Sequence, residues 1–173
     1  MDQPSALLVT GTVGSGKTSV ADALGDLLAD AELPNAVIDV DWLRRSWPAP
    51  PGDRFNRGIT LRNLRAVARN YVDAGALRLV LAGVIESRAE RDAYRIALGV
   101  PLAVCRLTVD LPTVRQRLTR RHQDDPDGLR WHLDRSGELD EILRRARVED
   151  VTVEVTSRSV RQVAEAVRDA VGW

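Results

Sequence analysis

The chain has 173 residues, 44% hydrophobic and 29% charged, with a formal net charge of +0. That length and composition predict a single globular domain over residues 1–173 with a core of its own. Balanced charge offers no field to gather nucleic acid or a membrane surface, so neither is an expected partner. The lone cysteine, Cys105, has no internal partner and fits a reducing compartment. The opening MDQPSALLVT lacks a basic, signal-like region. The longest apolar run, residues 79–85, is too short to span a bilayer. A cytoplasmic location is therefore the expectation.

The first predicted element is a buried strand at residues 6–10, ALLVT. GTVGSGKT follows at residues 11–18 and fits the pattern G-x-x-x-x-G-K-[ST]. Lys17 is the only lysine in the chain, against 24 arginines. An ammonium is a compact point charge and a guanidinium a wide fork, so a position that keeps lysine points to a tight cavity. Glycines let the loop curl its N–H groups inward toward a phosphate, and a helix starting at residue 17 adds its positive end. The reading assigns Gly11, Thr12, Val13, Gly14, Ser15, Gly16, Lys17, Thr18 and Ser19 to nucleotide binding. Lys17 reaches the β- and γ-phosphates, and the Thr18 hydroxyl holds Mg²⁺. The loop predicts a bound nucleotide with Mg²⁺ but not the reaction, because GTPases, ATPases and kinases share it.

A helix is predicted over residues 17–31 and a second strand over 36–38. VIDVDWLRR then places Asp39 and Asp41 at the carboxyl edge of the sheet. Phosphoryl transfer to a hydroxyl needs a carboxylate that accepts the proton and others that help seat the metal. Asp41 is the candidate base, with Asp39 and Asp41 as candidate metal ligands. The bland alternative for Asp41 is an N-cap of a helix beginning near Trp42. Residues 47–57, WPAPPGDRFNR, are too rich in Pro and Gly to be helical throughout. Trp42, Trp47 and Phe55 are candidates to line an acceptor pocket.

Beyond that loop a helix is predicted at 59–74, where Leu61, Leu64, Ala68 and Tyr71 recur at helical spacing. A third strand at 77–82 leads to Glu86, a candidate for metal or substrate contact. A helix at 89–98 and a fourth strand at 102–109 come next. Helices at 111–122 and 128–147 flank the polar turn QDDPDG, and their arginines, with the turn, predict a hinged lid around residues 117–135. Arg117 and Arg121 share a helix face and are candidates to stabilise charge on the transferring phosphoryl group; Arg135 is another, from the far side of the turn. A fifth strand at 151–155 and a helix at 159–171 complete the chain, with Arg158 between them, where the family resemblance described below implies the adenine end of the nucleotide. Continuous apolar strands alternating with helices predict an α/β three-layer sandwich around a five-stranded parallel sheet.

LLVTGTVGSGKTSVADAL followed by IDVDWLR resembles the small P-loop kinase superfamily, of nucleoside-monophosphate-kinase-like topology, and most of all adenylylsulfate kinase. Asp39, Asp41 and Arg44 match that family's aspartate-x-aspartate-x-x-arginine stretch. Asn63, Arg65, Ala74, Gly75, Arg88, Arg91 and Asp92 match positions in its next helix and strand region. The resemblance implies ATP–Mg²⁺ as donor, a small hydroxyl compound as acceptor, a mobile lid, and a catalytic set of Lys17, Asp41, Arg44, Arg117 and Arg121. The family's aspartate–arginine pair before the asparagine is replaced here by Ile59 and Thr60, which leaves the acceptor open. VDLPTVRQRLTRR is more similar to the lid entrance of gluconate, shikimate and antibiotic kinases, and Val40, Asp41 and Leu43 match a stretch of chloramphenicol phosphotransferase. The alternatives are a nucleoside or nucleotide kinase and a nucleotide-binding switch, the latter without a guanine-specifying N-K-x-D motif here. The chain is expected as a monomer or a homodimer.

Overall fold

A computed structural model describes residues 3–173. Five strands, β1 (Ser5–Gly11), β2 (Asn35–Asp39), β3 (Arg78–Ala82), β4 (Leu102–Thr108) and β5 (Val151–Glu154), form one sheet in the order β2-β3-β1-β4-β5. Every pairing is parallel; Leu8 of β1, for example, sits between Leu81 and Val104. The sheet is buried on both faces because its side chains alternate between two apolar layers. Ala6 and Leu8 pack with Leu64 and Ala68 of α3 (Arg57–Asp73) and with Tyr94, Ala97 and Leu98 of α4 (Arg88–Leu98). Leu7 and Val9 pack on the other side with Leu24 and Leu28 of α1 (Lys17–Asp30) and with Val163, Ala164 and Val167 of α7 (Val160–Val171). This is the expected three-layer sandwich, and all five predicted strands are present. Cys105 lies wholly inside it, where burial pushes the thiol up to about 12 and leaves it inert. Of the residues read as helix-face apolar positions, Tyr71 is 41% exposed and faces outward instead.

Three local features position the site. The chain turns from β1 into α1 through residues 12–16, where Gly14 and Gly16 adopt φ of 80° and 92°, values a side chain disfavours. A four-residue helix, α2 (Val40–Leu43), follows β2 directly and is capped by Asp39, whose carboxylate accepts from the Asp41 N–H at 2.9 Å. The N-cap is therefore Asp39; Asp41 is a first-turn residue and its carboxylate is not spent on capping. Asn63 of α3 donates to the Leu43 carbonyl at 2.8 Å and fixes the end of α2. Arg91, matched to the family in the sequence, binds Asp150 through two 2.8 Å bonds and belongs to the scaffold.

Residues 117–135, expected from the sequence to act as a lid, fall on the end of α5 (Leu111–Arg121) and the start of α6 (Pro126–Ala146). Helix α6 begins two residues before the predicted start because Asp125 caps it through the Gly128 N–H and Pro126 suits its first turn. The only two histidines close the connecting turn, with His122 stacked on His132 at 4.3 Å. Among the described residues no helix is long and apolar enough to cross a membrane.

Candidate active site

At the carboxyl end of the sheet, where strand order reverses about β1, lies a cleft of about 880 Å³. The phosphate loop supplies Val13, Gly14, Gly16, Lys17, Thr18 and Ser19 to its wall, and the β2–α2 junction supplies Asp39, Asp41, Trp42, Arg44 and Arg45. Arg117 and Arg121 enter from α5. The cleft thus unites every residue assigned to catalysis or metal from the sequence. Gly11, Thr12 and Ser15 lie beneath it as buried supports of the loop.

Lys17 Nζ donates to the carbonyls of Gly11 at 3.0 Å and Thr12 at 2.9 Å. The ammonium is held over its own loop by two neutral acceptors, a pose it can trade for phosphate oxygens. Burial pushes the Lys17 ammonium down to about 8, against the opposing pull of the Asp41 and Asp39 carboxylates. A bound phosphate favours the charged form, so nucleotide binding takes up a proton wherever the free lysine is neutral. Nucleotide affinity is therefore expected to be flat below pH 8 and to weaken above it, approaching tenfold per pH unit. Calorimetric titration with ADP between pH 6.5 and 9.5 checks this; an affinity that rises with pH contradicts it.

Thr18 Oγ1 donates to Asp39 Oδ2 at 3.2 Å. Two oxygens that far apart match the roughly 3 Å edge between neighbouring ligands of an octahedral Mg²⁺ with bonds of about 2.0–2.1 Å. Among the described residues no group of three or more His, Cys, Asp or Glu side chains could hold a metal alone. The donor set fits Mg²⁺, which takes one or two protein oxygens and completes its shell with phosphate and water. Asp41 stands a few residues on, 68% exposed, with Arg44 Nε 3.4 Å from its carboxylate. Paired only with Arg44, it faces the cleft beside the loop that would present a γ-phosphate.

Arg117 is placed differently from a residue waiting in an open lid. Its Nη1 donates to the carbonyls of Gly14 and Ser15, both at 3.3 Å, so α5 is already seated on the phosphate loop. A second cavity of about 200 Å³ adjoins it, lined by Ser15, Gly16, Ser19, Arg117, Val155 and Arg158. Arg158, read from the sequence as lying at the adenine end of a nucleotide, thus shares a cavity wall with Arg117 and the phosphate loop.

Sequence reasoning placed Trp47 at the acceptor pocket, but it is 93% exposed and absent from the cleft wall. Its loop turns the ring outward. Trp42 and Phe55 do line the cleft, joined by Trp131 and His132 of α6, which carried no recognisable pattern. Arg45 stacks on Trp42 with its guanidinium 4.5 Å from the ring centre. Arg135 reaches from α6 to Glu86 at 2.6 Å and to Glu138 at 2.7 Å. Glu86 is thus occupied by a guanidinium, and Arg57 faces Glu90 at 3.7 Å in the same wall. Neither the Arg57–Glu90 pair nor Trp131 could be found from spacing, since each depends on how α3, α4 and α6 meet.

Fold and site together define a P-loop nucleotide-binding chain with the sheet of a kinase. Residues 7–147 match the model of the AAA domain family, and the chain belongs to that family. The chain is 34% identical over 110 residues to the adenylyl-sulfate kinase of Lactiplantibacillus plantarum, a match covering 57% of this chain and 53% of that protein. The match thus spans about half the length of such curated relatives. The structure of the Deinococcus radiodurans tunicamycin resistance protein superposes with a TM-score of 0.70 at 20% identity, covering 98% of this chain and 96% of that one. The Mycobacterium tuberculosis APS kinase CysC, solved in complex with AMPPNP and APS, superposes with a TM-score of 0.66 at 24% identity over 100% of both chains. At these identities the two structures show the shared fold, that of the P-loop kinases.

Proposed function

We propose that this chain is an ATP-dependent phosphotransferase that moves the γ-phosphoryl group to a hydroxyl of a small molecule. The observation that carries this reading is the placement of Lys17, Thr18, Asp39 and Asp41 on one cleft, with the largely exposed Asp41 carboxylate beside the phosphate loop. The adenylyl-sulfate kinase relatives support it. In the reaction the acceptor oxygen forms a bond to the γ-phosphorus, the bond to the β–γ bridging oxygen breaks, and ADP leaves. The hydroxyl proton passes to Asp41. Lys17 and the loop N–H groups hold the phosphate chain in line, and Arg121 faces the oxygens on which charge builds. Mg²⁺ bound at Thr18 and Asp39 would neutralise charge on the β- and γ-phosphates.

Trp42, Phe55 and Trp131 are each more than half exposed and share the cleft wall, in a chain only 4% aromatic. Exposed rings gathered in a polar cleft favour an acceptor with a flat ring of its own. Adenylyl sulfate and nucleosides both have that property, so they lead the panel to be tested. The test is ATP consumption with adenylyl sulfate, nucleosides, sugar acids, sugars and phenicol or aminocyclitol antibiotics. At least one hydroxyl compound is expected to raise ADP release at least tenfold over the rate without acceptor, and Lys17→Ala is expected to remove that rise.

A further inference from the structure

Thr12 does two things at once. Its backbone carbonyl accepts from the Lys17 ammonium at 2.9 Å, and its buried hydroxyl donates to the Ser136 carbonyl of α6. The two hydroxyls lie 3.1 Å apart, and Ser136 Oγ reaches the Val13 carbonyl at 3.2 Å. Thr12 spends its proton on Ser136 O, and Ser136 shares its own between Thr12 Oγ1 and Val13 O. Thr12 and Ser136 are only 5% and 2% exposed, so these polar atoms are satisfied only while α6 rests on the loop. One residue therefore joins the lysine that would meet a phosphate to the helix that carries Trp131 and His132 into the cleft.

Attachment along α6 changes at this point. On the C-terminal side, Leu139 and Leu143 are buried, and Arg106 of β4 donates to Asp140 at 2.9 Å. On the N-terminal side Arg135 still binds Glu86 at 2.6 Å, but beyond it Trp131 is 62% exposed, and His132 meets the Gly128 carbonyl of its own helix and the His122 ring of α5. Gly137 follows the contact, and a Cβ there would meet nothing within 4 Å. Packing does not require the glycine, which weakens the helix interior next to its anchor.

We infer that the Thr12–Ser136 contact is a positioning device that couples nucleotide in the phosphate loop to the lid, with Ser136 as the fixed point about which residues 126–134 close. It rests on the nucleotide-binding part of the proposed function. When a phosphate draws Lys17 Nζ away from Thr12 O, the peptide between residues 12 and 13 keeps its place through α6. Without that tie the loop has to be ordered by the nucleotide itself, and the lid loses its pivot.

The test combines AMPPNP binding with hydrogen exchange. In the unaltered chain AMPPNP is expected to slow exchange at residues 126–134 and to leave 138–146 unchanged. Thr12→Val removes the bond to the Ser136 carbonyl and is expected to bind AMPPNP about tenfold more weakly, the scale of one buried hydrogen bond, and to lose the slowing at 126–134. Ser136→Ala keeps that bond and is expected to fall between Thr12→Val and the unaltered chain. Thr12→Ser keeps the hydroxyl and is expected to retain the slowing at 126–134 that Thr12→Val loses. Unchanged exchange in β1 and β4 separates a lost contact from a lost fold. Affinity of Thr12→Val within twofold of the unaltered chain, with protection intact, overturns the coupling, as does a Thr12→Ser chain as impaired as Thr12→Val. If Lys17→Ala binds AMPPNP as well as the unaltered chain, the nucleotide reading itself falls. Binding that needs Lys17 but ignores the Thr12 hydroxyl removes only the coupling.

Discussion

Lys17→Ala is expected to abolish phosphoryl transfer, with kcat falling by roughly 10³-fold or more, beyond the cost of removing one preorganised donor from a developing charge. The ammonium sits between two loop carbonyls at 2.9 and 3.0 Å, in a space that accepts a point charge with rotatable donors. Lys17→Arg is expected to fail almost as badly despite keeping the charge. A guanidinium is planar and wider, and here it would have to displace the loop backbone that positions the phosphates. Arginine fills all the other basic positions, so tolerance of arginine in this chain is general and the exception is local. Steady-state rates of the two variants, beside the Kd for ADP, decide the matter. Near-normal turnover in Lys17→Arg would remove the point-charge argument.

Asp41→Asn is expected to separate chemistry from binding. The substitution keeps size and hydrogen-bonding capacity but removes the group that accepts the hydroxyl proton. Nucleotide affinity should change little, while kcat falls by roughly 10²-fold or more, the scale of general-base contributions. The structure sharpens this test, because the cap of α2 is Asp39 and not Asp41. A fall in kcat at position 41 cannot then be assigned to a lost helix cap. Asp41 loses its attraction to Arg44 in the variant, but that contact is 3.4 Å long and its carboxylate largely exposed, worth about 0–1 kcal/mol. An Asp41→Asn chain with intact kcat would shift the base to Asp39 or Glu86. Glu86 would first have to release Arg135, which lies 2.6 Å away.

The sheet and its order of elements were legible because buried parallel strands must be continuously apolar and the helices between them must carry one apolar face. The phosphate loop was legible because its chemistry is local: eight successive residues hold the turn, the lysine and the hydroxyl. Asp39 and Asp41 were located but their roles were not separable. Which of them caps α2 depends on the dihedral angles at the end of β2, and two aspartates two apart look alike in a string of letters. The acceptor wall was the least readable part. Trp131, Arg57 and Glu90 come from helices far apart in sequence, and Trp47 was misplaced because an aromatic in a loop carries no period to say which way it points. Arg117 was found as a functional arginine, yet its contact with the Gly14 and Ser15 carbonyls needs the packing of α5 on the loop. The tie between Thr12 and Ser136 spans 124 positions and joins two unremarkable hydroxyls, so nothing but the fold reveals it.

Where the labelled phosphorus of γ-labelled ATP goes is the most direct test of the account. In a single turnover with the hydroxyl acceptor that best stimulates ADP release, the label is expected on that acceptor, with none transferred by Lys17→Ala and a rate reduced by roughly 10²-fold in Asp41→Asn. Label that leaves only as inorganic phosphate, slowly and at the same rate with every acceptor, would contradict the account and describe a nucleotide-bound switch in place of a kinase.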